Sequence, residues 1–296
     1  MTSTSTADAP MTTGSVVSAD GTTIAYLRTG TGPGLILLHG SMQSAASHAQ
    51  LAAALAADFT VYLPDRRGRG RSGPYPAGYS IRHEVQDVEA LMAATGATLL
   101  FGVSASGLVV LEAARTLPGV TKVAAYEPAL LPAGTTRTAW LPRYDREMAD
   151  GKVAAAMVTS MFGLDLAPAP MRLIPRPVLA RLTAIMLRGE DKKAGPGDVT
   201  TRALAPTLHY EGALLAEMAG SLGSFASVGA QVLLLGGSKG LAFLRPALDD
   251  LARTLPHVRR VELDGLDHGA SADVSPANRG GKPAVVAAEL RQFFAS

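Results

Sequence analysis

The chain has 296 residues, 47% of them hydrophobic and 18% charged, with a net charge of +2 and no cysteine. This length and apolar content suffice for one large α/β core with room for an inserted lobe, and they exclude a disordered or fibrous chain. The missing cysteine excludes disulfides, thiolate metal sites and a cysteine nucleophile, and the dispersed positive charge leaves no footprint for nucleic acid or an anionic membrane.

Residues 1–13 are rich in Thr, Ser and Ala, without a basic start or an apolar core, so a flexible tail rather than a signal peptide is expected there. Ser15 to Ser18 and Thr22 to Leu27 predict a β-hairpin around Asp20-Gly21. Gly34 to Leu38 is a continuous apolar run ending at His39-Gly40, the pattern of a strand buried on both faces. A helix is predicted over Ser44 to Ala57 and a short strand over Thr60 to Leu63. The loop from Asp65 to Gly73 then carries Arg66, Arg67, Arg69 and Arg71, and is expected to be structural and solvated rather than an anion site. Ile81, Val85, Val88, Leu91 and Met92 recur at helical spacing behind a Ser80 cap, predicting a helix over Ile81 to Thr95.

Thr98 to Phe101 predicts another strand, Leu108 to Leu117 a helix, and Val120 to Tyr126 a strand ending at Glu127-Pro128. This alternation implies parallel βαβ units in a doubly wound sheet. From 132 to 225 the pattern becomes helical, over Val153 to Met161, Val178 to Leu187 and Thr207 to Met218, with no convincing strand. Trp140, Met157, Met161, Phe162, Met171, Ile185 and Met186 are expected mostly to pack with one another there, a minority facing a ligand. Arg188 to Asp198, including Gly195-Pro196-Gly197, reads as an exposed loop. The sheet pattern resumes with Val232 to Leu235, a helix over Leu244 to Leu255, a strand over Arg259 to Leu263, a loop from Asp264 to Asn278 and a last helix over Pro283 to Phe294. No run reaches the roughly 18 residues a bilayer-spanning helix needs, and cytoplasmic residence fits the composition.

Between the strand ending at Phe101 and the following helix stands Gly102-Val103-Ser104-Ala105-Ser106, which approximates the G-x-S-x-G nucleophile elbow with serine at the second glycine position. A strand-to-helix reversal of this kind strains the apex residue and admits only small neighbours. With this segment and its order of elements, the chain resembles the α/β-hydrolase superfamily over nearly all of its length after residue 13. The resemblance implies an α/β-hydrolase core over 14–131 and 226–296 and a helical cap over 132–225.

The resemblance further implies Ser104 as nucleophile and His268, in Gly265-Leu266-Asp267-His268-Gly269 after the last strand, as its general base. It implies an oxyanion hole formed by the N–H groups of Ala105 and Ser41, with Met42 as the alternative to Ser41. His39 is read as holding loop geometry, while His48, His83, His209 and His257 are read as helix or surface residues, with His48 and His209 as possible pocket residues. The acid departs from the usual pattern, since Gly236-Gly237-Ser238-Lys239-Gly240 offers no carboxylate where the family places one. Glu127, after the preceding strand, is favoured in its place, with Asp267, Asp264 or no acid as alternatives.

These residues point to a serine hydrolase cleaving an ester, lactone or thioester of a small, fairly apolar molecule through an acyl-enzyme. No metal or organic cofactor is implied, and the expected partner is a small-molecule substrate, without nucleic acid or membrane. The elbow serine argues against haloalkane dehalogenase and epoxide hydrolase chemistry, which use a carboxylate there. Acyl transfer, cyclisation or C–C cleavage on the same scaffold, or ligand binding by a weak triad, are the alternatives.

Overall fold

The computed structural model describes residues 11–195 and 198–296. Its sheet begins with the hairpin β1 (Thr12–Val17) and β2 (Thr23–Thr29), followed by β3 (Gly34–Leu38), β4 (Thr60–Pro64), β5 (Leu99–Val103), β6 (Lys122–Tyr126), β7 (Gln231–Gly237) and β8 (Val258–Leu263). The order across the sheet is β1-β2-β4-β3-β5-β6-β7-β8, antiparallel from β1 through β4 and parallel thereafter. The helices on the two faces are α1 (Ala49–Leu55), α2 (Ile81–Thr95), α3 (Ala105–Thr116), α9 (Arg245–Thr254) and α10 (Pro283–Ala295). Between β6 and β7 stand α4 (Leu141–Ala149), α5 (Val153–Gly163), α6 (Arg176–Lys193), α7 (Thr201–Leu204) and α8 (Thr207–Met218), with no strand among the described residues.

Side-chain alternation along the central strands builds two cores. Ile36, Leu38, Leu100, Val123 and Leu234 face α2, α3 and α9, where they meet Val88, Leu108 and Leu251. Leu35, Leu37, Phe101, Ala124 and Leu235 face the other way, onto Leu51 and Leu55 of α1 and Leu290 and Phe294 of α10. Strands covered on both faces need no polar alternation, and β3, β5 and β6 accordingly have none.

Several boundaries differ from the sequence reading. Residues 1–10 of the expected tail lie outside the described residues, but Thr12 and Thr13 already pair with Arg28 and Leu27 in the sheet, so the expected tail boundary at 13 is too late. Gly14, the third residue of β1, lies against the Tyr26 ring, where a Cβ would come within 2.4 Å of it, so the strand passes the ring on glycine. The helix expected from Ser44 opens as a 3-10 turn, Ala45–His48, before α1. Strand β5 runs to Val103 and α3 starts at Ala105, so a single residue separates them. Of the loop expected over Arg188 to Asp198, Arg188 to Lys193 are instead the last turns of α6, where Lys192 and Lys193 oppose the negative end of the helix dipole, while Ala194, Gly195 and Asp198 are irregular and exposed; Pro196 and Gly197 lie outside the described residues.

The helical segment also packs differently from expectation. Its core is Trp140, Tyr144, Ala156 and Leu208. Met157 packs against this core and also lines a cavity, as do Met161 and Met186, the expected minority, whereas Ile185 is 56% exposed. A single layer of helices laid over a sheet has one face for its own core and another for what lies beneath.

Candidate active site

Every loop that carries a candidate residue leaves the C-terminal end of a parallel strand, where open α/β sheets bind ligands. Ser104 stands alone between β5 and α3 with φ 58° and ψ −123°. A Cβ on Gly102 would lie 2.3 Å from the Ser106 carbonyl, so the turn closes only over glycine at that position. Ser106 is fully buried and its hydroxyl donates to the His39 carbonyl, tying the start of α3 to the loop after β3. The serine in the second glycine position thus has a structural use. Among the described residues, four other than glycine have positive φ, and three of them, Met42, Ser104 and Glu127, belong to this site. Such strain is sustained only where the surroundings over-determine it.

Glu127 follows β6 and is 2% exposed. Its Oε2 is 2.6 Å from His268 Nδ1, on the loop after β8. Glu127 Oε1 accepts from the Gly237 N–H at 3.0 Å and Oε2 from the Leu241 N–H at 3.4 Å. The loop without an aspartate has become a cradle of backbone donors for a glutamate that arrives from the neighbouring strand. A Cβ on Gly240 would sit 1.6 Å from Glu127 Oε1, so this loop needs glycine to admit the carboxylate. Burial opposes the ionisation of Glu127, but the His268 hydrogen bond and charge and the two backbone donors outweigh it and hold the carboxyl below its ordinary value.

The other carboxylates considered for this position are occupied elsewhere. Asp267 Oδ1 accepts from the Gly269 N–H at 2.9 Å, and its carbonyl accepts from the Tyr126 hydroxyl at 2.7 Å. Asp264, itself exposed, accepts from the Ser238 hydroxyl at 3.1 Å.

Ser104 and His268 line one cavity of about 410 Å³, together with Gly40, Ser41 and Met42. Its remaining walls are chiefly apolar: Leu131, Met157, Met161, Leu164, Met186, Leu208, Leu215 and Phe243. Ala105 is the first residue of α3, so its N–H has no intrahelical acceptor and carries the positive end of the helix dipole. Ser41 borders the same space from the turn after β3. Among the described residues, no cluster of three or more His, Asp or Glu side chains could hold a metal ion.

A family model described as the alpha/beta hydrolase family matches residues 35–279. The chain belongs to that family. An alpha/beta hydrolase from Sphaerobacter thermophilus DSM 20745 is similar at 30% identity with a TM-score of 0.74, covering 95% of this chain and all of that one. An esterase from Rhodococcus sp. ECU1013 is similar in fold, with a TM-score of 0.66 at 22% identity over 97% of this chain and 99% of that one. Among curated proteins, pimeloyl-[acyl-carrier protein] methyl ester esterase of Xylella fastidiosa (strain M12) is 38% identical over 92 residues, 31% of this chain. The match spans 35% of that relative's length.

In this alpha/beta hydrolase the remaining histidines are placed away from the cavity walls. His39 is buried, with Nδ1 2.9 Å from the Gly40 carbonyl and Nε2 accepting from the Arg66 N–H at 3.2 Å. Burial and the charges of Arg69 and Arg66 hold it well below the usual imidazole range, so it stays neutral. His48 is buried against the Ser271 hydroxyl at 3.3 Å, and burial lowers it from 6.5 to about 3. His83 accepts from the Ser80 N–H at the start of α2, and His209 bonds Asp145 within the helical segment. His257 borders an open depression at the opposite end of the sheet, beside Phe293.

The arginine loop is not solvated, contrary to expectation. Arg66, Arg67 and Arg69 are 2%, 0% and 2% exposed. Arg66 forks onto both oxygens of Glu84 at 2.9 Å and reaches Glu211 of α8 at 2.8 Å; Arg69 also bonds Glu211. Arg67 forks onto Asp87 at 2.7 Å and bonds Asp20. Removing a cation from water requires a paired anion, and α2, α8 and the β1–β2 turn supply them. Arg66 and Arg69 therefore bind the helical segment to the core through Glu211, Arg67 ties α2 to the β1–β2 turn, and none of the three is available to an anionic substrate. Arg71, outside this network, is exposed.

Proposed function

We propose that this protein hydrolyses a carboxylic ester, lactone or thioester of a small, predominantly apolar molecule through an acyl-enzyme on Ser104. The observation that carries the reading is the buried Glu127 bonded to His268 at 2.6 Å, on the wall of the cavity that also receives the strained Ser104. Glu127 holds the Nδ1–H tautomer of His268, leaving Nε2 free to accept a proton. His268 takes the Ser104 hydroxyl proton as Oγ attacks the carbonyl carbon. The carbonyl oxygen becomes an oxyanion held by the N–H groups of Ala105 and Ser41. The C–O or C–S bond of the leaving group breaks as His268 returns the proton to it. Water, deprotonated by the same imidazole, then attacks the acyl-enzyme and releases the acid and free Ser104.

The apolar walls favour an aliphatic or aromatic substrate, and the cavity volume suits a small molecule, for which sites span about 300–1,000 Å³. The partial similarity to a methyl ester esterase supports an ester as the substrate bond. The test is turnover of p-nitrophenyl esters of graded chain length in ¹⁸O-water. One ¹⁸O in the product acid is expected; an acid without label, or a product other than the acid, contradicts hydrolysis.

A further inference from the structure

Among the described residues lining the Ser104 cavity, Arg137 alone carries a permanent charge. It stands in the connection between β6 and α4, half-buried, with its guanidinium carbon 4.0 Å from the centre of the Phe243 ring. Phe243 lies in a 3-10 turn, Ala242–Leu244, just after the loop that cradles Glu127. The guanidinium carbon lies over the aromatic ring, a cation–π contact that uses none of the guanidinium N–H groups. Among the described residues, no carboxylate pairs with Arg137, and its only hydrogen bond is the backbone one from its N–H to the Thr135 hydroxyl.

The contrast with Arg66, Arg67 and Arg69 is direct, since each of those is matched by protein carboxylates. A planar cation set into an apolar wall, against an aromatic ring and with no carboxylate partner among the described residues, is matched by an anion of planar, two-oxygen geometry. The rest of the wall, Met157, Met161 and Leu164 among it, is chiefly apolar and calls for hydrocarbon in the remainder of the substrate.

We propose that Arg137 is a specificity-determining residue that binds a carboxylate on the substrate, distal to the scissile bond. The substrate class is then an ester with an apolar chain ending in a carboxylate, such as the monoester of a dicarboxylic acid. The inference rests on the hydrolytic reading for the identity of the scissile bond, but not for the anion site itself.

The test is equilibrium binding of monomethyl suberate and dimethyl suberate to Ser104→Ala protein, with Arg137→Gln, Arg137→Met or Arg137→Lys added. Monomethyl suberate is expected to bind about 10- to 100-fold more tightly than the diester, as for a hydrogen-bonded charge pair. The preference should vanish in Arg137→Gln and Arg137→Met, survive in part in Arg137→Lys, and weaken with added KCl. Arg137→Met retains a stem to pack on Phe243 and so separates lost charge from lost packing. Equal affinity for the two esters, a preference that survives Arg137→Gln, or an equal loss for both ligands would overturn the proposal. If the preference holds but wild-type protein hydrolyses neither ester, the hydrolytic reading fails and the anion site stands.

Discussion

The floor and the roof of the cavity are built in opposite ways. The floor, formed by the loops after β3, β5, β6, β7 and β8, is fixed by short hydrogen bonds, buried polar groups and three strained backbones at Met42, Ser104 and Glu127. The roof, formed by the helical segment, meets the cavity mostly with apolar side chains, among them Met157, Met161, Leu164 and Met186, which adapt their shape and form no directional bonds; Arg137 is its charged exception. The two are joined at one place by buried ion pairs, where Glu211 of α8 accepts from Arg66 and Arg69. The difference separates tasks: a rigid floor can hold reacting groups in register, while a soft roof can change which molecule fits without disturbing them.

If that division holds, changes in the floor act on kcat and changes in the roof on KM. The largest effect is expected for Ser104→Ala, which should lower kcat by about 10⁴-fold or more. Glu127→Gln should follow, at about 10³- to 10⁴-fold in kcat with little change in KM, because the amide would no longer hold the Nδ1–H tautomer of His268. A folded Glu127→Gln protein with near-normal kcat would remove Glu127 from the mechanism.

At the joint, Glu211→Ala leaves two buried guanidinium groups short of an anion and should cost about 3–5 kcal/mol in denaturant unfolding. A loss near zero would mean that floor and roof are not coupled through this pair. Stability should also fall with acid. His39 and His48 are neutral in the fold, with His48 lowered from 6.5 to about 3, so below about pH 6.5 the unfolded chain takes up protons that the folded chain refuses. Each histidine then contributes a slope of up to about 1.4 kcal/mol per pH unit. Stability that stays flat from pH 7 to 5 would contradict this. The smallest effect belongs to the roof: Met161→Ala should shift KM several-fold and leave kcat within about twofold, measured across esters of different chain length.

The floor was legible in the sequence because its signals are local. Gly102 to Ser106, His39-Gly40 and Gly265 to Gly269 each sit at the end of an apolar strand run, and chain order set Glu127 against the empty Gly236 to Gly240 loop. The role of this loop as the donor cradle for Glu127 shows in the sequence only through its three glycines. Partners distant in sequence were less visible. The carboxylates for Arg66, Arg67 and Arg69 come from Asp20, Glu84, Asp87 and Glu211, so the loop alone read as solvated. Arg137 carried no signal, since an isolated arginine among threonines acquires its meaning only from Phe243, 106 positions further along the chain. In the helical segment, apolar periodicity identified helices but could not say which apolar residues face a cavity and which face one another.

The most direct test of the central claim is intact-mass analysis after incubation with a fluorophosphonate, on wild-type, Ser104→Ala and Glu127→Gln proteins. An activated serine predicts one stoichiometric adduct on wild type, mapped to the peptide containing Ser104, none on Ser104→Ala, and a much slower adduct on Glu127→Gln. An adduct that persists in Ser104→Ala, or a folded wild-type protein that stays unlabelled while turning over esters, would contradict Ser104 as the nucleophile.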